Sequence, residues 1–564
     1  MKAIETKWLL KKKWEEEKCQ ILSRRWKLSP LLIKLLLNRG IKEEFFQDFL
    51  FPSFDRLHDP FLMKGMREAV DRILLSISRK EKILVYGDFD VDGITATSLL
   101  LRFLGDLKFP SYYYIPHRQN EGYGLNIEAI KKAFAKDIKL IITCDCGTSS
   151  IEEIKYARSR GVEVIVTDHH QVVDDIPLDF IVLNPRKPEC SYPFKELSGV
   201  GVVFKLCQAI SRKVNFSVEK LKSYLDLVAI GTLADVVALT GENRTLVKLG
   251  LERLPSSGTC LGLRALLGIA GLSGRKIEER EVGYILAPRL NACGRLSLAK
   301  TAVKLLLTDS SKEALLLARR LEKENSRRQS LERRMCEEAE NILSGKIKPV
   351  LVVASRRWHP GVIGLVASYL KDKYHRPALA FSIEKDIARG SARSIPNFSI
   401  FEVLSECSHL ITRFGGHQLA AGLTLPAGNI KKLEERLNFF ARKMLSSDDF
   451  VSYRFFDAEV DLKHLNLPFV KELRILSPFG PGNPKPVFIA KKVKIYRRIN
   501  KRKVILADPA GGKEFEGWGF NNEEWGNFVP GETVDIFYFP VLNSWRGKED
   551  IQLEIKGIVP SEIL

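Results

Sequence analysis

Ile83-Leu84-Val85-Tyr86-Gly87-Asp88-Phe89-Asp90-Val91-Asp92-Gly93 decides how the rest of the chain is read. The apolar, β-branched run Ile83–Tyr86 predicts a buried strand that Gly87 ends. Three carboxylates then follow at alternate positions, Asp88, Asp90 and Asp92, before Ile94, Leu99, Leu100 and Leu104 set a helical spacing. Acids gathered at one strand end repel one another, and a divalent cation is the usual counterweight. The same Asp-x-Asp-x-Asp-Gly also opens an EF-hand calcium loop, but that loop needs a preceding helix and a glutamate at its twelfth position. Here a strand precedes, and the twelfth position is Leu99.

Working outward, further strands end in the same way. Ser111–Ile115 reads as a strand followed by the glycine-rich loop that holds Arg118, which reads equally as a phosphate holder or as a solvated loop arginine. Leu140–Thr143 runs into Cys144-Asp145-Cys146-Gly147, and Ser150 with Glu153 has capping-box spacing for the helix that follows. Alternation along a strand turns both cysteines away from the direction of Asp145. Val164–Thr167 ends at Asp168-His169-His170. A helix over Tyr224–Ala234 then delivers Asp235. In open α/β sheets ligands bind beyond the carboxyl ends of the strands. Oxygen ligands with one or two imidazoles suit manganese or magnesium rather than thiolate-bound zinc.

The totals bound the remainder. A chain of 564 residues with 45% hydrophobic residues builds real cores, and its length suggests about three to five domains. A formal net charge of +20 and pI ≈ 9.4 favour an anionic polymer, most simply nucleic acid. Nine cysteines without a CxxC pair fit reduced thiols in the cytoplasm rather than a zinc ribbon or a disulfide scaffold. No apolar signal core opens the chain and no run is long enough to span a membrane. There is no Walker-A phosphate loop, which disfavours an ATP-driven motor.

The chain after Asp235 is read in blocks. Residues from about 245 to 345 are expected to be helical, with Arg289 and Arg295 flanking a turn. A long helix over Ser310–Leu343 opens with a capping box at Ser310 and Glu313 and carries its apolar face on Leu331, Met335 and Ala339. Strand–helix alternation returns from 346 to about 445. There Gly415-Gly416-His417 reads on its own residues as a plain turn. Ser477-Pro-Phe-Gly-Pro-Gly-Asn-Pro484 reads as a crossing into a last, β-rich module. In that module basic residues among Tyr496, Trp518, Phe520 and Trp545 suit stacking on a single strand, with some of the aromatics taken by the core.

Gly87–Gly93, Asp145, Asp168-His169-His170 and Asp235 match, in order, the four motifs of the DHH phosphoesterase family. The chain is similar in particular to its 5′ exonucleases specific for single-stranded DNA. Asn38–Ile41, Ile115–Arg118, Gly122–Leu125, Pro288–Arg295, Trp358–Gly364 and Gly415–Gln418 extend the resemblance over nearly the whole length.

The resemblance implies an α/β fold: a DHH domain with a parallel sheet, a helical connector, a DHH-associated α/β domain and a C-terminal OB-fold β-barrel. The expected division is a helical segment over 1–55, the DHH domain over 56–245, a helical region with the connecting helix over 246–345, the DHH-associated domain over 346–445 and the OB fold over 446–564. It implies two divalent cations, manganese or magnesium, held by Asp88, Asp90, Asp92, Asp145, His169 and Asp235; Asp88 either ligates or sits one shell out. His170 then contacts the scissile phosphate and Asp168 orients a ligand from behind. Arg118, Arg289, Arg295, Ser391, Arg393, Gly415, Gly416 and His417 hold the strand. The activity implied is hydrolysis of single-stranded DNA from the 5′ end to mononucleotides in DNA repair and recombination. The protein is expected to be cytoplasmic, without membrane attachment and monomeric, with a RecQ-type helicase and a single-stranded-DNA-binding protein as partners. Two other readings are a DHH phosphodiesterase for short oligonucleotides or signalling dinucleotides, and a non-catalytic single-strand-binding scaffold. The basic, aromatic C-terminal module speaks against the first, and the complete acid set against the second.

Overall fold

The computed structural model describes residues 6–12, 14–118, 121–172, 176–177, 179–296, 298–500, 502–508, 512–519, 528–545 and 548–561, the side chains of Ser544, Trp545 and Lys548 excepted. The chain forms two compact units, one of residues 47–331 with 478–483, the other of the residues before 47, 332–477 and those from 484 onward.

The first unit is built on a parallel sheet. Its five described strands lie in the order Tyr112–Tyr114, Lys82–Gly87, Ile138–Cys144, Glu163–Thr167, Ile181–Leu183. The chain leaves the first strand for one neighbour and crosses back to the other side for the third. The switch point therefore falls between Lys82–Gly87 and Ile138–Cys144, where such sheets place their ligands. The ladder continues one residue past the strand ends. Asp88 N–H donates to the Cys144 carbonyl (3.2 Å), Asp145 N–H to that of Thr167 (2.9 Å) and Asp168 N–H to that of Leu183 (3.0 Å). Three motif acids thus stand side by side on one sheet edge.

Helices Val91–Asp106, Gly199–Lys213 and Leu225–Ala234 pack together on one face of this sheet, where Ile83, Val85, Leu140 and Ile142 join the main core. Leu84, Tyr86 and Ile141 face a second core with helices Ile127–Ala135 and Ile151–Ser159. Cys144 belongs to the first core and Cys146 to the second, because Asp145 between them takes φ +65° and breaks the strand's alternation. All nine cysteines are buried.

Two local expectations fail in this unit and a third is met only in part. Ser150 precedes helix Ile151–Ser159 without capping it. Its φ −93°, ψ 47° is not the extended conformation a cap needs, and its hydroxyl instead accepts the Leu125 N–H at 3.3 Å. The Arg289–Arg295 segment is not a turn but the helix Ala287–Leu296, continuous with a π-helical stretch Val282–Leu286. Pro288 removes one donor from the ladder, and the π register just before it accommodates the loss. Helix Ser311–Leu343 forms as expected, with Ser310 Oγ accepting the Glu313 N–H at 3.3 Å; the Glu313 carboxylate turns to the Thr308 hydroxyl rather than closing the box.

The second unit contains a mixed sheet ordered Arg413–His417, Ala420–Pro426, Ile387–Arg393, Ala378–Glu384, Leu351–Ser355. It also contains a barrel in which Phe488–Asn500, Lys503–Ala507, Glu514–Trp518, Lys548–Pro560 and Thr533–Trp545 close through the pairing of first with last. Within the barrel module Tyr496 is exposed and Trp518 half-buried, so the aromatics divide between surface and core; Phe520 and the Trp545 side chain lie outside the described residues. The amino-terminal segment is helical over Glu16–Trp26 and Pro30–Asn38, and Gly40 follows at φ +71°. It also carries a strand that helical patterning missed. Thr6–Leu10 pairs in parallel with Ser452–Phe456 and stacks Trp8 on Phe537, ring centroids 3.9 Å apart. Among the described residues no helix is long and apolar enough to cross a membrane.

Candidate active site

Each acid at the switch point is held by a different backbone device. Asp90 caps helix Val91–Asp106, its Oδ1 accepting the Gly93 N–H at 3.1 Å. Asp92, in the first turn of that helix, accepts the N–H groups of Gly199 (2.6 Å) and Val200 (2.8 Å), the first residues of helix Gly199–Lys213. Asp145 sits in the left-handed region, which costs a non-glycine residue about 1 kcal/mol and turns its carboxylate off the strand line. Asp235 ends helix Leu225–Ala234. The ligand atoms of Asp88, Asp90 and Asp145 lie within 4.8 Å of one another, as do those of Asp92, His169 and Asp235 and those of Asp145, His169 and His170.

The cluster is crowded by design of its glycines. A Cβ on Gly199 would lie 2.5 Å from Asp145 Oδ1, one on Gly93 2.7 Å from Asp88 Cβ, and one on Gly231 2.9 Å from Asp92 Oδ1. On helix Ala287–Leu296, a Cβ on Gly294 would meet the Phe89 carbonyl at 2.4 Å. The Asn291–Arg295 motif therefore presses its backbone against the loop of the first acids, which accounts for its glycine. Gly199 escaped the sequence reading; a Ser-Gly pair opening an apolar helix was the signal that could have found it.

Behind the cluster, Asp168 faces His170 rather than the other acids. Its Oδ1 accepts from His170 Nδ1 (2.7 Å) and from the N–H of His169 (2.7 Å), and its Oδ2 accepts the Thr148 N–H (2.9 Å). Burial opposes its ionisation, but these bonds and the two imidazoles hold its carboxyl below the usual range. His170 is raised to about 9: burial disfavours its charge, and the Asp168 hydrogen bond outweighs that. His169 is lowered to about 3, by burial first and by its charged neighbour His170 next, so it is neutral at pH 7 with a lone pair to offer. Tyr123, which the sequence reading left without a role, places its hydroxyl 2.9 Å from His170 Nδ1 and 3.2 Å from the Asp145 carbonyl.

The acids in front show the opposite electrostatics. Burial, then neighbouring carboxylates, lift Asp92 to about 7 and Asp235 to about 9, and raise Asp88 and Asp145 as well. Buried Asp88 Oδ1, Asp145 Oδ1, Asp235 Oδ2 and His169 Nε2 have no hydrogen-bond partner. His169 Nε2 stands 3.2 Å from Asp145 Oδ1 and 3.5 Å from Asp235 Oδ2 without hydrogen-bond geometry. Orphaned buried oxygens of one sign around a neutral imidazole are the donor set of hard divalent cations, so the residues present fit manganese or magnesium.

Of the arginines, Arg118 lies over the Phe89 ring (4.9 Å), and its charge works against the rise of Asp88. Arg289 is ion-paired to Glu322 at 2.6 Å, and Arg295 is half-buried on the same helix. In the second unit the register puts Ser391, Gly422 and Gly415 in one row and Arg393, Ala420 and His417 in the next equivalent row. The four site residues of these rows share the sheet face opposite Leu379, Ala392, Ala421 and Leu423, which are core. Arg393 Nη1 donates to Ser391 Oγ at 3.2 Å, and a Cβ on Gly364, in the first turn of helix Ile363–Tyr374, would lie 3.2 Å from that oxygen. Gly415-Gly416-His417 is the exposed edge strand, not the turn; the chain reverses one step later, between the paired His417 and Ala420.

Comparison with known proteins agrees with this geometry. The model described as "DHH family, N-terminal domain" matches residues 82–232, the "DHHA1 domain" 348–443 and the "RecJ OB domain" 456–557. The chain is 40% identical to the single-stranded-DNA-specific exonuclease RecJ of Bacillus subtilis over 98% of this chain and 71% of that protein. It is 32% identical to the exonuclease of the same name from Escherichia coli, over 94% and 96%. The crystal structure of RecJ in complex with Mn2+ from Thermus thermophilus superposes with a TM-score of 0.84 at 29% identity, covering 98% of this chain and 79% of that one. A similar match, with a TM-score of 0.79, is to the Mg2+ complex from the same organism. The order of the acids along the switch point, the domains that follow them and these relatives lead to one assignment: the chain belongs to the RecJ family of single-stranded-DNA-specific exonucleases.

Proposed function

We propose that the protein hydrolyses single-stranded DNA from its 5′ end to mononucleotides, using two divalent cations held by Asp88, Asp90, Asp92, Asp145, His169 and Asp235. The observation that carries this reading is the set of buried, unpartnered carboxylate oxygens facing a neutral His169. When bound, the cations supply charge neutralisation and Lewis-acid activation of water and phosphate at neutral pH. Gly199 and Val200 N–H groups orient Asp92, and the left-handed backbone at Asp145 aims its carboxylate. His170, protonated and tied by Nδ1 to Asp168, keeps its Nε2–H for an oxygen of the scissile phosphate. Arg118 offers a fork to the backbone near the cluster. Arg289, Arg295, Gly415, Gly416 and His417 complete the strand contacts. Ser391 and Arg393 take the 5′ phosphate, helped by the helix amino-terminus at Gly364.

We place the enzyme in the cytoplasm as a monomer acting in DNA repair and recombination. Because the chain has no motor motif of its own, strand separation falls to a RecQ-type helicase, with a single-stranded-DNA-binding protein presenting the strand. The deciding assay is nucleotide release from single-stranded and duplex DNA labelled at either end, with manganese and with chelator. Metal-dependent mononucleotide release from 5′ ends of single strands is expected; cleavage confined to very short oligomers sinks the assignment.

Two variants test the supporting parts. Arg393→Ala is expected to raise KM for 5′-phosphorylated strands about tenfold to a hundredfold, with a much smaller change on 5′-hydroxyl strands, since one forked charge-assisted contact is lost. Gly199→Ala puts a methyl group 2.5 Å from Asp145 Oδ1, so the carboxylate must shift. A displacement of that order costs about a hundredfold in kcat. Unchanged kcat would show that the close approach at Gly199 does not matter.

A further inference from the structure

The glycine- and proline-rich stretch at 477–484 reads as a crossing between modules, yet Pro478–Asn483 packs with the unit that carries the acid cluster. It folds on itself there. Gly480 and Asn483 exchange backbone hydrogen bonds of 2.9 and 3.0 Å, and the Asn483 amide, fully buried, donates to the Pro478 carbonyl at 2.7 Å. The loop then grips the chain just past Asp235. The Leu239 N–H donates to the Pro481 carbonyl at 2.7 Å. A Cβ on Gly480 would strike Leu239 Cδ1 at 2.7 Å, and one on Gly482, which has φ +73°, would strike Thr240 Cγ2 at 2.9 Å. Buried Arg244, stacked on Phe49 at 3.9 Å, ties the Pro478 carbonyl (3.2 Å) to that of Phe49 (2.8 Å).

What the loop grips is strained. Val236, immediately after Asp235, takes φ +62° with its side chain exposed. A β-branched residue in that region is an outlier costing about 1–3 kcal/mol, and persists only where the surroundings over-determine it. Leu239 and Thr240 are the far end of this short turn, and helix Gly241–Arg253 starts directly after it. Asn243 adds a hold on the Ala238 carbonyl at 3.0 Å. Released, the turn would relax Val236 and carry Asp235 away from its place 3.5 Å from His169 Nε2.

We propose that Pro478–Asn483 is a clamp that positions Asp235: it sustains the strained Val236–Thr240 turn and so keeps the fourth-motif carboxylate in the cation-binding cluster. Gly480, Gly482 and Asn483 are positioning residues: the glycines pack on Leu239 and Thr240, and the Asn483 amide holds the loop's own Pro478 carbonyl. The proposal rests on the metal-dependent reading above. It explains why a stretch so far along the chain needs two glycines and a buried asparagine at these places.

The test uses the full chain. Manganese binding without DNA is measured by calorimetry, and kcat and KM on single-stranded DNA are measured in parallel, for the wild type, Gly482→Ala, Asn483→Ala, Val236→Gly and the double variant Val236→Gly/Gly482→Ala. Gly482→Ala is expected to weaken manganese binding about tenfold and lower kcat about tenfold to a hundredfold, with KM for DNA unchanged. Asn483→Ala is expected to show the same signature more mildly, which serves if Gly482→Ala does not fold. Glycine at 236 takes the left-handed conformation without penalty. Much of the loss should therefore be recovered in the double variant, a rescue that a purely structural role of the loop does not predict. Wild-type manganese affinity and kcat in both loop variants would overturn the clamp, as would a rise in KM alone or an equal loss with Val236→Gly in the background. If the wild type itself takes up no manganese, the metal reading falls first and the clamp with it.

Discussion

Asp145→Asn is expected to lower exonuclease kcat by at least about a thousandfold, some 4 kcal/mol of transition-state stabilisation, while single-stranded DNA still binds without metal. The reason lies in where Asp145 stands. Its carboxylate stands within 4.8 Å of ligand atoms of Asp88 and Asp90 on one side and of the His169 and His170 rings on the other. Its Oδ1 is buried and unpartnered, and its backbone is held in a costly conformation. Asparagine keeps the shape and removes the charge, so a lost activity with an intact fold isolates the charge. Burst kinetics and a filter-binding assay in chelator check it together. A variant that retains a tenth of wild-type kcat would remove Asp145 from the centre of the site.

The same substitution is expected to do the opposite to stability. Without cations the cluster is a set of buried carboxylates that repel one another. Asp92 and Asp235 are lifted to about 7 and about 9, by burial first and by neighbouring acids next, against about 4 in the unfolded chain. A raised folded value contributes stability that is complete below the unfolded value and is lost as pH rises through the folded one. Metal-free protein should therefore melt at higher temperature at pH 5.5 than at pH 9. Asp92 alone supplies on the order of 2 kcal/mol of that difference, and Asp235 more. His169, lowered to about 3, acts in the other direction, because the unfolded chain takes up its proton near 6.5; that is about 1.4 kcal/mol at pH 5.5. The carboxylates win. Manganese should reverse the trend at pH 8, adding about 2.7 kcal/mol for each site held at a hundredfold excess over its Kd. Asp145→Asn should melt above the wild type in chelator at pH 8 and gain much less from manganese. Calorimetric scans across that range decide it, and a wild type that melts at the same temperature at pH 5.5 and pH 9 in chelator contradicts the repulsive cluster.

Both expectations start from residues that the sequence names. The alternation of Asp88, Asp90 and Asp92 after an apolar run, and the repetition of strand end plus acid at Asp145 and Asp168, are local signals. A strand's length and its glycine are written in a few consecutive side chains, and strand ends on one sheet edge must come together. For the same reason the barrel and the long helix at 311–343 were legible. Local pattern misled where tertiary contacts override it. Ser150 spends its hydroxyl on Leu125, Pro288 lies inside a helix, and Thr6–Leu10 becomes a strand only because Ser452–Phe456 is there to pair with it.

By itself, the sequence determined the chemistry: which acids and imidazoles meet, the cations they suit and the anionic strand that a chain of charge +20 attracts. Tertiary structure alone decided how each group is held and charged. Asp168 is ionised behind His170 while Asp235 resists ionisation, although both are aspartates that end a regular element. Gly199 meets Asp145 across a gap of 54 residues, and the loop at 478–483 reaches the turn after Asp235 across more than two hundred. Burial, repulsion and close backbone approach depend on which distant segments fill the same space, and no short-range pattern carries that.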